Sequence, residues 1–129
     1  MIQTGILNPD LLSLIARIRH TNTLVIADWA FPYWPEIETV DLALCPGIPT
    51  VIQVVELLRP NFKIGQVYMA AEFESHNTAK HRSVFKRALR GLPLTFEPHL
   101  EFKHRVPHAI GLVRTGDPTA YGNMILESA

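Results

Sequence analysis

Residues 23–28 read Thr23-Leu24-Val25-Ile26-Ala27-Asp28, a short, almost wholly apolar run that stops at a carboxylate. A run with no polar alternation suits a strand covered on both faces, as in a parallel sheet sandwiched between helices. Upstream, Asn8-Pro9-Asp10 supplies a capping side chain, a proline for the first helical position and an acid for the positive helix end. Leu11, Leu14, Ile15 and Ile18 follow at helical spacing, so a helix is predicted through about Arg19, broken by His20-Thr21-Asn22. Downstream, residues 29–38 (WAFPYWPEIE) hold two prolines and four aromatics and read as an irregular loop.

Beyond that loop, strand and helix signals alternate. Residues 39–44 (TVDLAL) suit a strand, and Gly47-Ile48-Pro49 opens a helix over 50–58 that Pro60 closes. Residues 64–71 (IGQVYMAA) suit another strand, and 77–89 a helix capped by Asn77 and stopped at Gly91-Leu92-Pro93. A short extended piece at 94–96 precedes a helical turn at 99–105. Two last strands are predicted at 109–114 and 121–126, joined by the turn Gly116-Asp117-Pro118. Such alternation predicts a single α/β domain over residues 1–129, a three-layer sandwich whose mostly parallel sheet is covered by helices on both faces.

Composition narrows the function classes. The 129 residues carry 12 Lys plus Arg against 12 Asp plus Glu, so the chain is neutral when histidine is. This balance argues against a nucleic-acid binder held by phosphate neutralisation. The charged fraction of 19% is below the usual ~25% and hints that part of the exterior meets another subunit. A lone Cys45 makes no internal bridge, and the start of the chain, with Asn8, Pro9 and Asp10 where a signal core would lie, resembles no leader. No window of about 18 apolar residues predicts a membrane span. The expectation is a cytoplasmic protein without membrane contact.

Two constellations carry candidate chemistry. His20 ends the first helix, and Asp28 lies just past the carboxyl end of a buried strand, where ligands gather in open α/β sheets. Histidine gives and takes protons near neutrality, although a histidine ending a helix also serves merely to satisfy carbonyls, and an Asp after a strand merely to make a turn. In the last predicted strand, alternation sets Tyr121 and Asn123 on one face, with Gly122 between them allowing close backbone approach. Phenol and carboxamide together suit a polyhydroxylated ligand; the alternative is an edge strand facing water.

Other features are weaker. His99, His104 and His108 invite a metal reading, but Pro107 disrupts the one helical pair, and neither a second cysteine nor a His-Glu-x-x-His pattern is present, so no metal is expected. The basic run from Lys80 to Arg90 reads as a solvated helix face, so no nucleic acid is expected. Trp29, Phe31, Tyr33 and Trp34 suit either sugar stacking or a subunit contact. No glycine pattern supports nucleotide binding.

Taken together, 20–28 (HTNTLVIAD), 40–49 (VDLALCPGIP) and 114–126 (RTGDPTAYGNMIL) agree in order and spacing with one family: the chain resembles the D-ribose pyranase / L-fucose mutarotase family over nearly its whole length. The resemblance implies a cofactor-free isomerase that interconverts pyranose, furanose or anomeric forms of a free monosaccharide. It also implies a ring-shaped homo-oligomer, a pentamer or decamer, with sites near subunit contacts. In the family pattern the catalytic histidine falls on His20, and the substrate-binding residues fall on Asp28, His99, Tyr121 and Asn123. Trp29 stands where the family usually has a small residue, so Trp29 and Gly122 are expected as pocket walls, with the space beside Asp28 narrowed or rebuilt. A non-catalytic sugar-binding or transport-accessory protein on the same scaffold is the alternative.

Overall fold

In the computed structural model, which describes residues 1–129, the apolar run becomes the strand β1 (Thr23–Ala27), with Leu24, Val25, Ile26 and Ala27 all fully buried. The other strands are β2 (Glu38–Asp41), β3 (Ile64–Ala70), β4 (Leu94–Glu97), β5 (Gly111–Arg114) and β6 (Met124–Ser128). They form one six-stranded sheet in the order β2-β5-β1-β6-β3-β4. β1 and β2 both pair with β5 in parallel, and β3 with β4, whereas β6 runs antiparallel to its neighbours β1 and β3. The sheet is therefore parallel but for this single reversed strand, inserted near the middle.

Side-chain alternation divides the core. Leu24, Ile26, Met69, Val113, Met124 and Leu126 point to one face. There they meet Leu11 and Leu14 of α1 (Pro9–Ala16), Val51, Val54, Val55 and Leu58 of α2 (Val51–Leu58), and Phe85 of α4 (Ala79–Ala88). Val25, Ala27, Leu112 and Ile125 point to the other, where Phe102 of α5 (His99–Arg105), Val106 and Phe31 cover them. The α/β sandwich is thus present, with one thick helical layer and one thinner layer built from α5 and the loop after β1.

Capping explains where the helices begin. Asn8 Oδ1 accepts the Leu11 N–H at 2.9 Å. Thr50 Oγ1 accepts the Gln53 N–H at 3.1 Å while Gln53 Oε1 accepts the Thr50 N–H at 2.8 Å, a reciprocal capping box. Several boundaries move from their sequence positions. α1 ends at Ala16 rather than near Arg19, and α4 is capped by Thr78, whose hydroxyl accepts the His81 N–H, rather than by Asn77. A further helix, α3 (Glu72–His76), fills the interval between β3 and α4.

The predicted last strand begins too early. Residues 121–123 are not part of β6, and Tyr121 sits at φ +54°, in the left-handed region that no strand residue occupies. Gly116 marks a close approach of two backbones: its N–H donates to Pro49 O at 2.9 Å, and its carbonyl accepts from Gly47 N at 2.7 Å. A Cβ on Gly116 would lie 2.7 Å from the Ile48 carbonyl oxygen and press on that of Cys45. Because backbone rather than a flexible side chain must yield, Gly116→Ala is expected to cost about 1–3 kcal/mol, as overpacking does. Thermal unfolding checks this; a midpoint equal to wild type would contradict the packing described here.

Candidate active site

The sheet's register gathers the functional side chains at one edge. Ala27, Arg114 and Asp41 lie side by side at the carboxyl ends of β1, β5 and β2. β4 ends there too and leads through Pro98 into His99. Because β6 is reversed, its amino end lies at that same edge, which brings Asn123 and Tyr121 to it. The result is a hollow of about 320 Å³ lined by Asp28, Ala30, Phe31, Pro32, His99, Lys103, Ala120, Tyr121 and Asn123. That is the lower end of the ~300–1,000 Å³ usual for small-ligand sites.

Asp28 is buried, 7% exposed. Its Oδ1 accepts the Ala30 N–H at 2.9 Å, and its own N–H donates to Asn123 Oδ1 at 2.7 Å. Burial pushes the Asp28 carboxyl above the ordinary carboxylate range; the N–H groups of Ala30 and Phe31 and the Asn123 amide pull it back, and the Asp117 carboxylate adds a smaller upward push. Asp117 is itself occupied by structure, accepting the N–H groups of Val51 at 2.9 Å and Thr119 at 2.8 Å.

His99 opens α5 with its N–H held by the Glu72 carboxylate at 3.0 and 3.2 Å. The backbone hydrogen bonds at Glu72 hold its carboxyl below the ordinary range. The imidazole stacks parallel on Phe102 with ring centres 6.1 Å apart and meets Tyr121 edge-on at 5.1 Å. Its Nδ1 is buried with no hydrogen-bond partner in the chain, the kind of orphan that marks a ligand site. Burial lowers the His99 pKa below the ordinary imidazole value; Lys103 adds to the lowering, and Glu72 and Asp28 oppose it. The ring is therefore neutral at pH 7, with one nitrogen that donates and one that accepts.

The folded state resists protonation of His99 more than the unfolded state does. Stability is accordingly full above the unfolded imidazole range and is lost as pH falls through it toward the lowered folded value. Unfolding midpoints measured from pH 7.5 to 5 should decline, and His99→Gln should flatten that decline; an unchanged slope in the variant would assign the decline to other groups.

Asp28, His99, Tyr121 and Asn123 are thus brought together, and His20 is not. His20 is exposed in the turn before β1, and the neighbouring Thr21 N–H donates to Ser128 O at the far end of β6. The five residues of β1 separate that turn from Asp28, roughly 16 Å at ~3.3 Å per residue. Trp29 does not line the hollow either. Its N–H is pinned to Asp117 O at 3.0 Å and its carbonyl to the Arg114 guanidinium at 3.0 and 3.2 Å. Its side chain borders a separate depression with Leu44, Cys45 and Pro46. Gly122 faces Thr119 and Phe85 in the interior rather than the hollow.

Lys103 is the lining residue that sequence reasoning missed. It stands four residues after His99, one turn along α5 and on the same face, so the i, i+4 spacing was the available signal. The loop aromatics separate: Phe31 walls the hollow and packs edge-on to Phe102 at 6.2 Å, Trp34 leans on the thinner core layer, and Tyr33 is exposed. Part of the basic run is engaged locally, Lys86 with the Glu74 carboxylate at 3.4 Å and Arg82 with the Glu74 carbonyl at 3.1 Å. No three His, Cys, Asp or Glu side chains are grouped to hold a metal ion, and no helix is long and apolar enough to cross a membrane.

The chain is 36% identical over 128 residues to a D-ribose pyranase of Geobacillus kaustophilus, covering 99% of this chain and 93% of that one. It is 38% identical to a D-ribose pyranase of Chromobacterium violaceum, covering 99% and 97%. Among solved structures it is similar to Bacillus subtilis RbsD complexed with D-ribose, with a TM-score of 0.91 and 30% identity over 100% of this chain and 98% of that one. The fucose mutarotase of Streptococcus pneumoniae in complex with L-fucose shares the fold, with a TM-score of 0.80 and 18% identity over 95% and 92% of the two chains. The sequence model of the RbsD / FucU transport protein family spans residues 1–129, and with this sheet, this edge and these relatives the chain belongs to that family.

Proposed function

We propose that the chain is a sugar mutarotase of the D-ribose pyranase type, an isomerase that opens and recloses the hemiacetal ring of a free monosaccharide. The observation that carries this reading is the convergence of Asp28, His99, Tyr121 and Asn123 on one hollow of about 320 Å³. A carboxylate, a neutral imidazole, a phenol and a carboxamide match the alternating donors and acceptors of a polyol, and the relatives named for D-ribose add their weight. Ring opening removes the proton from the anomeric hydroxyl, breaks the bond between the anomeric carbon and the ring oxygen, and delivers a proton to that oxygen; closure reverses each step. Nothing is oxidised or reduced, so the chemistry calls for acid–base groups rather than a redox cofactor.

In this reading His20 shuttles the proton, Asp28 orients the anomeric region, and His99, Tyr121, Asn123 and Lys103 bind hydroxyls. Since His20 stands at the opposite end of β1 from Asp28 in one chain, it serves the hollow of a second copy. Its presentation supports this. The turn that bears it is exposed yet stiff, with Asn22 Oδ1 accepting the Arg19 N–H at 2.8 Å and Thr21 held at φ +65°. A β-branched residue in that conformation is strained, and such strain concentrates at functional sites. Contacts in which one end of a subunit meets the other end of the next are heterologous, and they form a ring where the rotation closes, as in the pentamer or decamer of two stacked rings that the family resemblance implies.

Saturation-transfer NMR on a panel of pentoses and hexoses tests the reading. Acceleration of pyranose–furanose or anomer exchange for at least one sugar is expected, with ribose- and fucose-like sugars the first candidates. Calorimetric binding without acceleration for any sugar would instead assign a non-catalytic sugar-binding role.

A further inference from the structure

The short helix α3 reaches two residues of the hollow, one from each end. At its start, the Glu72 carboxylate holds the His99 N–H. At its finish, Asn77 Nδ2 bridges two carbonyls, Phe73 O at 3.0 Å and Ala120 O at 2.8 Å, tying the helix end to the turn that carries Tyr121. The exposed ring of His76 lies over Tyr121, with centres 4.8 Å apart and planes inclined by 56°. Tyr121 therefore touches two imidazoles, His76 at 4.8 Å and His99 at 5.1 Å.

Two details make this more than incidental packing. His76 Nδ1 lies 2.9 Å from the Glu72 carbonyl and 3.0 Å from Ser75 Oγ, so two polar neighbours fix the orientation of the ring. Tyr121 holds φ +54°, a conformation disfavoured for a residue with a Cβ, so the turn gains from every contact that steadies it. The Asn77 bridge to the Ala120 carbonyl and the His76 ring are two such contacts, both supplied by the end of α3.

We propose that His76 and Asn77 are positioning residues for the sugar site: they act through Tyr121, fixing its phenol at a set spacing from His99. This rests on the mutarotase reading for its effect on catalysis, but the positioning itself is a separate claim. The variants His76→Ala, His76→Phe and Asn77→Ala test it. His76→Ala and Asn77→Ala should raise the KM for the accelerated sugar about five- to tenfold, with kcat changed less, since loss of one positioned hydrogen bond acts on bound sugar in both ground and transition states. His76→Phe keeps a ring against Tyr121 and should recover most of the wild-type KM.

A second readout does not need turnover. With ring-labelled tyrosine, the Tyr121 ring should flip faster in His76→Ala than in wild type and return toward the wild-type rate in His76→Phe. A wild-type KM and flip rate in His76→Ala would overturn the proposal, and so would a His76→Phe as impaired as His76→Ala. Should the wild-type chain accelerate no sugar, the mutarotase reading falls while the flip rates still decide the positioning.

Discussion

His20→Ala should keep the wild-type unfolding midpoint, because the replaced side chain is exposed and lies in no core cluster. It should nonetheless lose about 10²–10⁴-fold in catalysed ring exchange, the usual contribution of a positioned acid–base group. Asp28→Asn should also lose exchange, since the amide preserves the bond from the Ala30 N–H but carries no charge to orient the sugar. The informative experiment mixes the two variants and lets them reassemble. If each hollow takes Asp28 from one copy and His20 from another, random assembly leaves about a quarter of the sites intact, and exchange returns to about that fraction of wild type. No recovery, with mixed assemblies verified by mass, would refute the two-copy site. Wild-type exchange by His20→Ala alone would remove His20 from the mechanism.

Phe102→Ala has the largest expected effect on the folded state. Phe102 is fully buried, packs edge-on to Phe31 and lies beneath the His99 ring. It belongs to the smaller of the two core clusters, with eight buried residues, so few neighbours can move in to fill the space. Truncating a buried phenylalanine costs about 3–5 kcal/mol. For a chain of this length that lowers the midpoint by on the order of 10–20 °C. Phe102→Leu, which keeps most of the volume, should cost much less. The same truncation removes the platform under His99 and one neighbour of Phe31, so sugar affinity should fall even where the variant remains folded. A midpoint within a few degrees of wild type would show that the thinner layer is not the tight packing described above.

The parts of this molecule that were legible in its sequence are those decided locally. The buried run 23–27 needs no neighbour to declare itself, and Asn8-Pro9 and Thr50 announce their helices through side chains that satisfy the first free N–H groups. Asp28 followed from its place after such a run. The remainder depends on contacts between distant segments. β6 is reversed because it pairs with β1 on one side and β3 on the other, and nothing within residues 121–128 encodes that. Its true start at Met124 converts Tyr121 from a strand residue into a turn residue, so it is the turn, and not strand alternation, that sets Tyr121 beside Asn123 in the hollow.

α3 escaped because no side chain caps it, and its five residues are too few for an apolar period to show. The direction of Trp29 is set by the bonds of its backbone to Asp117 and Arg114, partners more than 80 residues away that no local reading reaches. The separation of His20 from Asp28 follows from simple arithmetic on an extended strand. The family resemblance implies both residues for one site, and the strand's direction sets them at opposite ends of β1 within one chain.

If each hollow takes its proton shuttle from a neighbouring copy, as proposed, output becomes a property of the population rather than of the molecule. A folded chain in isolation would then hold two halves of different sites, so specific activity should collapse on dilution below the affinity that joins neighbours, and recover when the solution is concentrated again. Anything that loosens the join, including a change at a surface far from any sugar, would then act as an inhibitor without touching the hollow.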